Sequence, residues 1–561
     1  MLKMCTKWKQ ILLIFLLIFT CEIASAQTLK GYSWWNPATN KFQVIEGTAG
    51  NSNKYETGTY LKFNSNAADI VIRYIVQNDT HNLFTVMPLT GSAGLDLYAL
   101  DHNGKWIWVP AHFSFGDTIV YHFSHLEIDK AYRGKEVECR LFLPISQTVR
   151  WMEIGVPDGS TFTPQPLQPE KPIVVYSNLI TSTTSVSSPG LVWTALLERK
   201  LDRPIIHFDI SIKRMLNRDA ALYVLDWCSD ANLKLADDMF RSSLSKIIHT
   251  LQTAHPGVPV LLMQHSTGNM IDTVQRNEMH RVNDLLKQVF TELKTAGIKN
   301  LYQLTDTDIS LNMHATTDGL SLNDTGMQQY AAACEKTIRL ILQQSIGEIS
   351  TTIPVVQSRD GLYNWRKRHA EVLASNKSKA PINVIMANSI IHYWGGEPKG
   401  PFSRGEDSWN QWLEPLRVRN MGFGWDKIEN VLWRIYHDEL DGFTARHVVL
   451  MIGTNNLSGN SDEEIIAGLK LLVQAVAQRQ PSAKILLSGL LPRRNMEARV
   501  EQLNRAIEQL ATQTGAVFIN TGKLLLNDKG KVEESLFGDG LHPNAAGYQK
   551  IAPALSAFLK D

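Results

Sequence analysis

Apolar and polar positions follow two different rhythms along this chain. From about Gln27 to Gly159 apolar residues alternate with polar ones or run over strand lengths, in Ala68–Tyr74, Leu95–Leu100, Lys105–Trp108, Thr118–Phe123, Cys139–Leu143 and Arg150–Ile154, with Asn103-Gly104 as a hairpin turn. Short strands at this spacing predict an all-β sandwich or jelly roll over 27–165. A Pro-rich stretch from Pro164 to Pro172 reads as a stiff linker, and after it the rhythm changes. Continuous apolar runs, Pro172–Tyr176, Ala221–Leu225 and Val258–Met263, now alternate with helix-period stretches such as Ala236–Thr253 and Glu278–Ala296. That is the pattern of a parallel sheet with helical crossovers. It returns with Pro381–Met386, Leu416–Arg419 and His447–Ile452. The reading is α/β over 171–344 and again over 381–561, joined by 345–380. The centre of that joining segment, Tyr363–Leu373, predicts an amphipathic helix with His369 and its basic neighbours facing solvent.

The two α/β stretches are copies of one another. Asp318–Ala331 matches Asp539–Ala552 in one register at Asp, Gly, Leu, Asn, Gly, Gln and Ala. The same alignment sets Asn178-Leu179-Ile180 against Asn388-Ser389-Ile390, and Asp230 against Asn455. Where one copy carries Ser389, His542 and a Gly-rich second turn, the other carries Leu179, Ser321 and His207–Ser211. The residue types that do chemistry are thus concentrated in the second copy. A separate chemistry in the first, built on Asp226, Asp230 and Asp318, has no base or nucleophile beside it in the sequence.

Composition narrows the classes. With 561 residues, 44% hydrophobic, the chain reads as a globular protein of about three domains. A net charge of +1 offers no field for nucleic acid or an acidic membrane surface. The first 26 residues read as a signal peptide, with Lys3, Lys7 and Lys9, an apolar run Ile11–Phe19 and the small-residue site Ala24-Ser25-Ala26. This predicts a secreted or periplasmic protein with no integral membrane segment after cleavage; a lipid anchor at Cys21 is the lesser reading, because Thr20 precedes it. Cys139, Cys228 and Cys334 would remain after cleavage, three thiols that cannot all pair. No spacing among them or the histidines suggests a metal site, and no cofactor is expected.

Four blocks of the second copy carry candidate chemistry. Asp539 stands three residues before His542 on a Gly-rich turn that precedes a helix, so carboxylate and imidazole can converge on one nucleophile. Ser389 leaves the end of a predicted strand into a helix. A second strand leads to Gly422-Phe423-Gly424-Trp425, whose turn can offer a backbone N–H, and a third ends in Gly453-Thr454-Asn455-Asn456, whose Asn amide can face an oxyanion.

Together these blocks resemble the SGNH (GDSL-type) hydrolases, most closely the branch related to platelet-activating factor acetylhydrolase subunits. The likeness runs from Pro381 to the end, about 180 residues, a single domain's length. It implies two flavodoxin-like three-layer domains, the first degenerate. It implies Ser389 as nucleophile, His542 as base, Asp539 as orienting acid and Asn455 with the Gly424-Trp425 turn as oxyanion donors. The sequence departs from the pattern at Ala387-Asn388, where Gly-Asp is usual, at Ile391, where Thr is usual, and at Trp425, where the oxyanion Gly falls. A backbone donor tolerates that last exchange if φ stays negative.

The implied activity is an exported serine esterase removing small acyl groups, O-acetyl first, from a carbohydrate partner. Uronic-acid methyl esters and lipid acetyl esters are alternatives within the same chemistry. A glycan-binding protein without turnover is the alternative from another class. Trp34, Trp35, Trp106, Trp108 and Trp151 in the β region could stack on sugar rings or simply pack its core and edges. Oligomeric state is not readable from the sequence.

Overall fold

The computed structural model describes residues 31–37, 59–77, 87–124, 126, 134–145, 147–166, 168–177, 185–208, 212–228, 234–266, 270, 272–357 and 362–560. The leader segment with Cys21, and the positions Leu179, Asp209, Ser211 and Asp230, lie outside the described residues.

Among the described residues ten strands form the N-terminal region: β1 (Tyr32–Trp35), β2 (Tyr60–Ser65), β3 (Ile70–Val76), β4 (Asp96–Leu100), β5 (Trp106–Val109), β6 (Ala111–Ser114), β7 (Ile119–Phe123), β8 (Val137–Phe142), β9 (Val149–Pro157) and β10 (Phe162–Pro164). They make two antiparallel five-stranded sheets, ordered β1-β9-β3-β7-β6 and β10-β2-β8-β4-β5. Alternate residues of both sheets, among them Phe63, Leu97 and Leu141 from one and Ile72, Tyr121 and Ile154 from the other, fill a shared apolar core. The tryptophans divide. Trp34 covers Gly155, where a Cβ would collide with the indole, and Trp106 packs against Arg140, whereas Trp108 and Trp151 are exposed.

Each α/β copy builds one all-parallel sheet. The first holds β11 (Ile173–Tyr176), β12 (Ile205–Phe208), β13 (Leu222–Leu225), β14 (Val260–Met263) and β15 (Leu301–Leu304), ordered β12-β11-β13-β14-β15. The second holds β16 (Asn383–Ala387), β17 (Val418–Gly422), β18 (His447–Met451), β19 (Lys484–Ser488) and β20 (Val517–Ile519), ordered β17-β16-β18-β19-β20. Both have the flavodoxin-like order 2-1-3-4-5, whose chain reversal beside the first strand opens a crevice at the carboxyl ends. Strand β17 starts two residues later than the sequence pattern indicates, because Glu414–Leu416 closes a 3-10 turn and Arg417 adopts a left-handed φ of 52°.

The joining segment forms the helix Trp365–Ser378, but its orientation reverses the expectation for His369. The buried face is Trp365, Arg368, His369, Val372 and Asn376, and His369 is 1% exposed. Its ring sits between two buried carboxylates, Nδ1 2.8 Å from Glu439 and Nε2 3.3 Å from Glu170. Burial alone would lower its pKa, yet the two carboxylates raise it to about 9.

Charged and apolar contacts join the regions. Asp96 of β4 accepts the Gly190 N–H of the first α/β copy at 2.7 Å and the Trp108 indole at 3.0 Å. Arg140 of β8, wholly buried, bonds Glu198 and, at 2.5 Å, Asp202. Arg366 reaches Glu138 at 2.6 Å and Asp202 at 3.1 Å, and Arg203 reaches Asp438 at 2.7 Å. Buried pairs of this kind fix geometry more than they add stability, since removing one partner strands a charge. Among the described residues no helix is long and apolar enough to cross a membrane.

Candidate active site

The site assembles at the carboxyl ends of β16, β17 and β18. Strand β16 is wholly buried, and Asn388 ends it by turning its side-chain oxygen onto the Ile390 N–H at 2.9 Å, which caps the short helix Ser389–His392. Ser389 therefore opens a helical turn at the mouth of the crevice, 7% exposed.

The Asp539–His542 turn is held by Asp539 itself. One carboxylate oxygen accepts the N–H groups of Leu541 at 3.0 Å and His542 at 2.8 Å. The other is 2.7 Å from His542 Nδ1. Burial works against the charged carboxylate, but these donors hold its pKa below the ordinary value. Asn544 caps the following helix by accepting the Gly547 N–H at 3.1 Å. His542 Nε2 then lies 2.8 Å from Ser389 Oγ. Three residues that the sequence places 153 and 3 positions apart thus form one hydrogen-bonded chain from carboxylate to hydroxyl. This arrangement lets an imidazole take a hydroxyl proton while the carboxylate stabilises the imidazolium.

The oxyanion side differs from expectation in two respects. Gly424 donates its N–H to His392 Nδ1 at 2.9 Å, so that group is spent within the protein. His392 can accept because it is neutral: burial, with Arg368 and Arg434 nearby, lowers its pKa to about 2. Trp425 does not keep a negative φ; its φ is 68°, and the side chain is 49% exposed. A left-handed non-glycine residue costs about 1–2 kcal/mol, so its surroundings must hold the turn. They do so from both sides. The Gly424 carbonyl accepts from Tyr363 Oη at 2.8 Å and Gln357 Nε2 at 2.6 Å. The buried Asp426 carboxylate accepts from Trp365 Nε1 at 2.7 Å, Gln357 Nε2 at 3.0 Å and Arg434 Nε at 2.9 Å. Burial pushes the pKa of Asp426 up to about 7 against the pull of these donors. Asn455, after β18, donates its side-chain amide to the Asp426 carbonyl at 2.9 Å, which ties the third block to the second.

The sequence reading gave Gln357, Tyr363, Trp365 and Asp426 no part in the site. Three belong to the joining segment, which carried no motif; only Asp426, next to Trp425, stood beside a recognised block.

The first copy corrects a further expectation. Asp226 is accompanied by chemistry-bearing side chains, since Cys228 and His265 lie beside it, all three buried, with ligand atoms within 4.8 Å of one another. Asp318 and Ser321 rebuild the other copy's turn without its imidazole: Asp318 accepts the Ser321 N–H at 2.6 Å and the Ser321 hydroxyl at 3.0 Å.

Comparison with known proteins finds family likeness in all three regions. Two models of the GDSL-like lipase/acylhydrolase family match residues 170–339 and 388–550. A third, described as the N-terminus of SGNH-hydrolase-type esterases, matches 36–162. The chain is similar to platelet-activating factor acetylhydrolase IB subunit alpha1 of Bos taurus, 31% identical over 211 residues, 36% of this chain and 86% of that protein. It is likewise similar to subunit alpha2 of Homo sapiens, 30% identical over 202 residues, 35% of this chain and 83% of that protein. A crystal structure described as a GDSL-like lipase from Bacteroides ovatus covers 56% of this chain and 98% of its own, with 20% identity and a TM-score of 0.48. With its four blocks in order on one sheet and this likeness over most of the bovine protein's length, the chain belongs to the GDSL-like lipase/acylhydrolase (SGNH) family.

Proposed function

We propose that the protein is an exported serine esterase that removes small acyl groups, acetyl above all, from a carbohydrate. The observation that carries the reaction type is the Ser389–His542–Asp539 chain, with contacts of 2.8 and 2.7 Å. In this reading Ser389 Oγ attacks the ester carbonyl carbon while its proton passes to His542 Nε2. The carbonyl oxygen becomes an oxyanion, which the Asn455 amide and the backbone of the Trp425 turn receive. Collapse expels the sugar alkoxide, which takes the proton from His542. Water, deprotonated by the same imidazole, then releases the acid from Ser389.

Acetyl as the acyl group is supported by the relatives' naming as acetylhydrolases. A sugar as the alcohol is supported by the aromatic surface beside the nucleophile, where Trp425 and Phe402 are exposed and Tyr393 packs 5.5 Å from the His542 ring. Export is supported by the leader-like first 26 residues. A lipid acetyl ester is the second reading, favoured by the same relatives, which are named for platelet-activating factor.

Incubating the purified protein and its Ser389→Ala variant with acetylated polysaccharides, methyl-esterified pectin and an acetylated ether phospholipid, and assaying acetate and methanol, separates the readings. Serine-dependent acetate from a polysaccharide is the expected result. Release only from the phospholipid would replace the sugar reading, and no release from any ester would favour a binding protein.

A further inference from the structure

We infer that the first α/β copy carries a buried divalent-metal site of the zinc type, with Asp226, Cys228 and His265 as its protein ligands. The three come from the carboxyl ends of neighbouring strands. Asp226 and Cys228 follow β13, and His265 follows β14. His265 Nε2 lies 2.6 Å from Asp226 Oδ1, and the carboxylate oxygen, thiol sulfur and imidazole nitrogen are all within 4.8 Å of one another. Zinc bonds of about 2.0–2.3 Å place tetrahedral ligands roughly 3.3–3.7 Å apart, so small side-chain rotations bring the donors to that spacing.

What singles this cluster out is the comparison with the other copy. Tyr176 pairs with Leu225 in the first sheet as Met386 pairs with Leu450 in the second, and Leu225 with Leu262 as Leu450 with Leu487. Counting on from these pairs, Ser177, Asp226, Cys228 and His265 occupy the positions of Ala387, Met451, Gly453 and Leu490. A copy that only lost its catalytic residues would keep apolar or small side chains at these four buried places. It instead carries a hydroxyl, a carboxylate, a thiol and an imidazole there. Burying such groups is costly unless they satisfy something.

The set is suited to an ion. A carboxylate, a thiolate and a neutral imidazole carry two negative charges, which a divalent cation cancels in this buried site, with a water molecule as the fourth ligand. On binding, His265 and Cys228 each release any proton they hold to solvent, as ligation requires. The supports around the ligands are also present. Ser177 Oγ donates to Asp226 Oδ2 at 2.9 Å and the Cys228 N–H to Asp226 Oδ1 at 3.3 Å. Asn283 clamps the His265 backbone with bonds of 3.1 and 2.8 Å. Outer contacts of this kind orient metal ligands. The mixed hard and soft donors favour zinc over calcium or magnesium.

The test uses the full-length protein without a histidine tag. It is stripped with chelator, dialysed, reloaded with zinc or cobalt(II), and its metal counted by mass spectrometry. One retained equivalent per chain is expected, with a thiolate-to-cobalt charge-transfer band in the near ultraviolet. Cys228→Ala should lose both, whereas Cys139→Ala and Cys334→Ala should keep both. If Cys228→Ala fails to fold, His265→Gln and the wild-type cobalt spectrum carry the same test. No retained metal after reloading, or retention without the thiolate band, overturns the inference.

Discussion

The two α/β copies share strand order, turn geometry and helix caps, and differ in what those turns present. At Asp318 one carboxylate oxygen accepts two backbone N–H groups, from Leu320 at 3.0 Å and Ser321 at 2.6 Å. At Asp539 the corresponding bonds, from Leu541 and His542, are 3.0 and 2.8 Å. Gly319 and Gly540 take positive φ of 89° and 78° in the same place, and Asn323 and Asn544 both cap the helix that follows. The difference lies on the second carboxylate oxygen, which meets a hydroxyl in one copy and an imidazole in the other. The aspartate of this motif is therefore a turn residue whatever its part in the proposed catalysis. That explains why it persisted in the copy that lost its base.

The largest expected break in the comparison comes from the nucleophile and the base. Ser389→Ala and His542→Ala should each reduce kcat by on the order of 10⁵–10⁶-fold, and the double variant should cost little more, because the residues act as a unit. Steady-state rates on p-nitrophenyl acetate measure this; losses that multiply would dissolve the assignment.

The aspartates come next. Asp539→Asn should lower kcat by roughly 10⁴-fold through loss of the correct imidazole tautomer. Asp318→Asn should leave the rate unchanged while lowering the melting temperature, which calorimetry on the same preparations would reveal. An equal rate loss in both variants would show that the first copy takes part in the reaction.

Asn455→Ala should reduce kcat by about 10²–10³-fold with KM nearly constant, the effect of removing one oxyanion donor. A change confined to KM would make Asn455 a substrate-binding residue instead.

Stability should depend on pH through His369, which has no counterpart in the linker preceding the first copy. Its pKa is raised from 6.5 to about 9, so its contribution is complete below about 6.5 and is lost as pH rises through 9. The shift corresponds to about 3 kcal/mol. Denaturant titrations should show wild type losing that margin on the alkaline side, with His369→Gln less stable at neutral pH and flatter above it. Equal alkaline slopes would place the titrating group elsewhere.

The smallest effect is a null. Leu179→Ser with Ser321→His in the Ser389→Ala background should restore no turnover, since Asp230 stands against Asn455 in the repeat alignment. Hydrolysis regained in that triple variant would show that an oxyanion site survived in the first copy.

The sequence exposed the parts whose chemistry demands a residue type in a fixed order. Ser389, Asn455, Asp539 and His542 stood out because the proposed catalytic steps need those groups at the ends of successive elements. It hid what depends on backbone angle or on distant elements meeting. Trp425 gives no sign of its left-handed φ, because glycine, the usual sign, is absent there. Asp226 and His265 meet across 39 positions with no spacing motif to announce them. The burial of His369 was hidden by polarity: 365, 368, 369, 372 and 376 keep helical period, but that face carries Arg, His and Asn and does not read as apolar.

Arg140 also bears on how the chain is made. Its partners Glu198 and Asp202 lie 58 and 62 residues downstream, and Tyr60 hydrogen-bonds the same Glu198 from 138 residues upstream. The β region therefore cannot complete the partners of its buried guanidinium until the first α/β copy has folded against it. Until then only Glu138, 3.4 Å from Arg140 and shared with Lys62, offsets the charge that β8 buries. The first α/β copy, whatever it binds, thus supplies two of the three carboxylates around a charge that the preceding region buries.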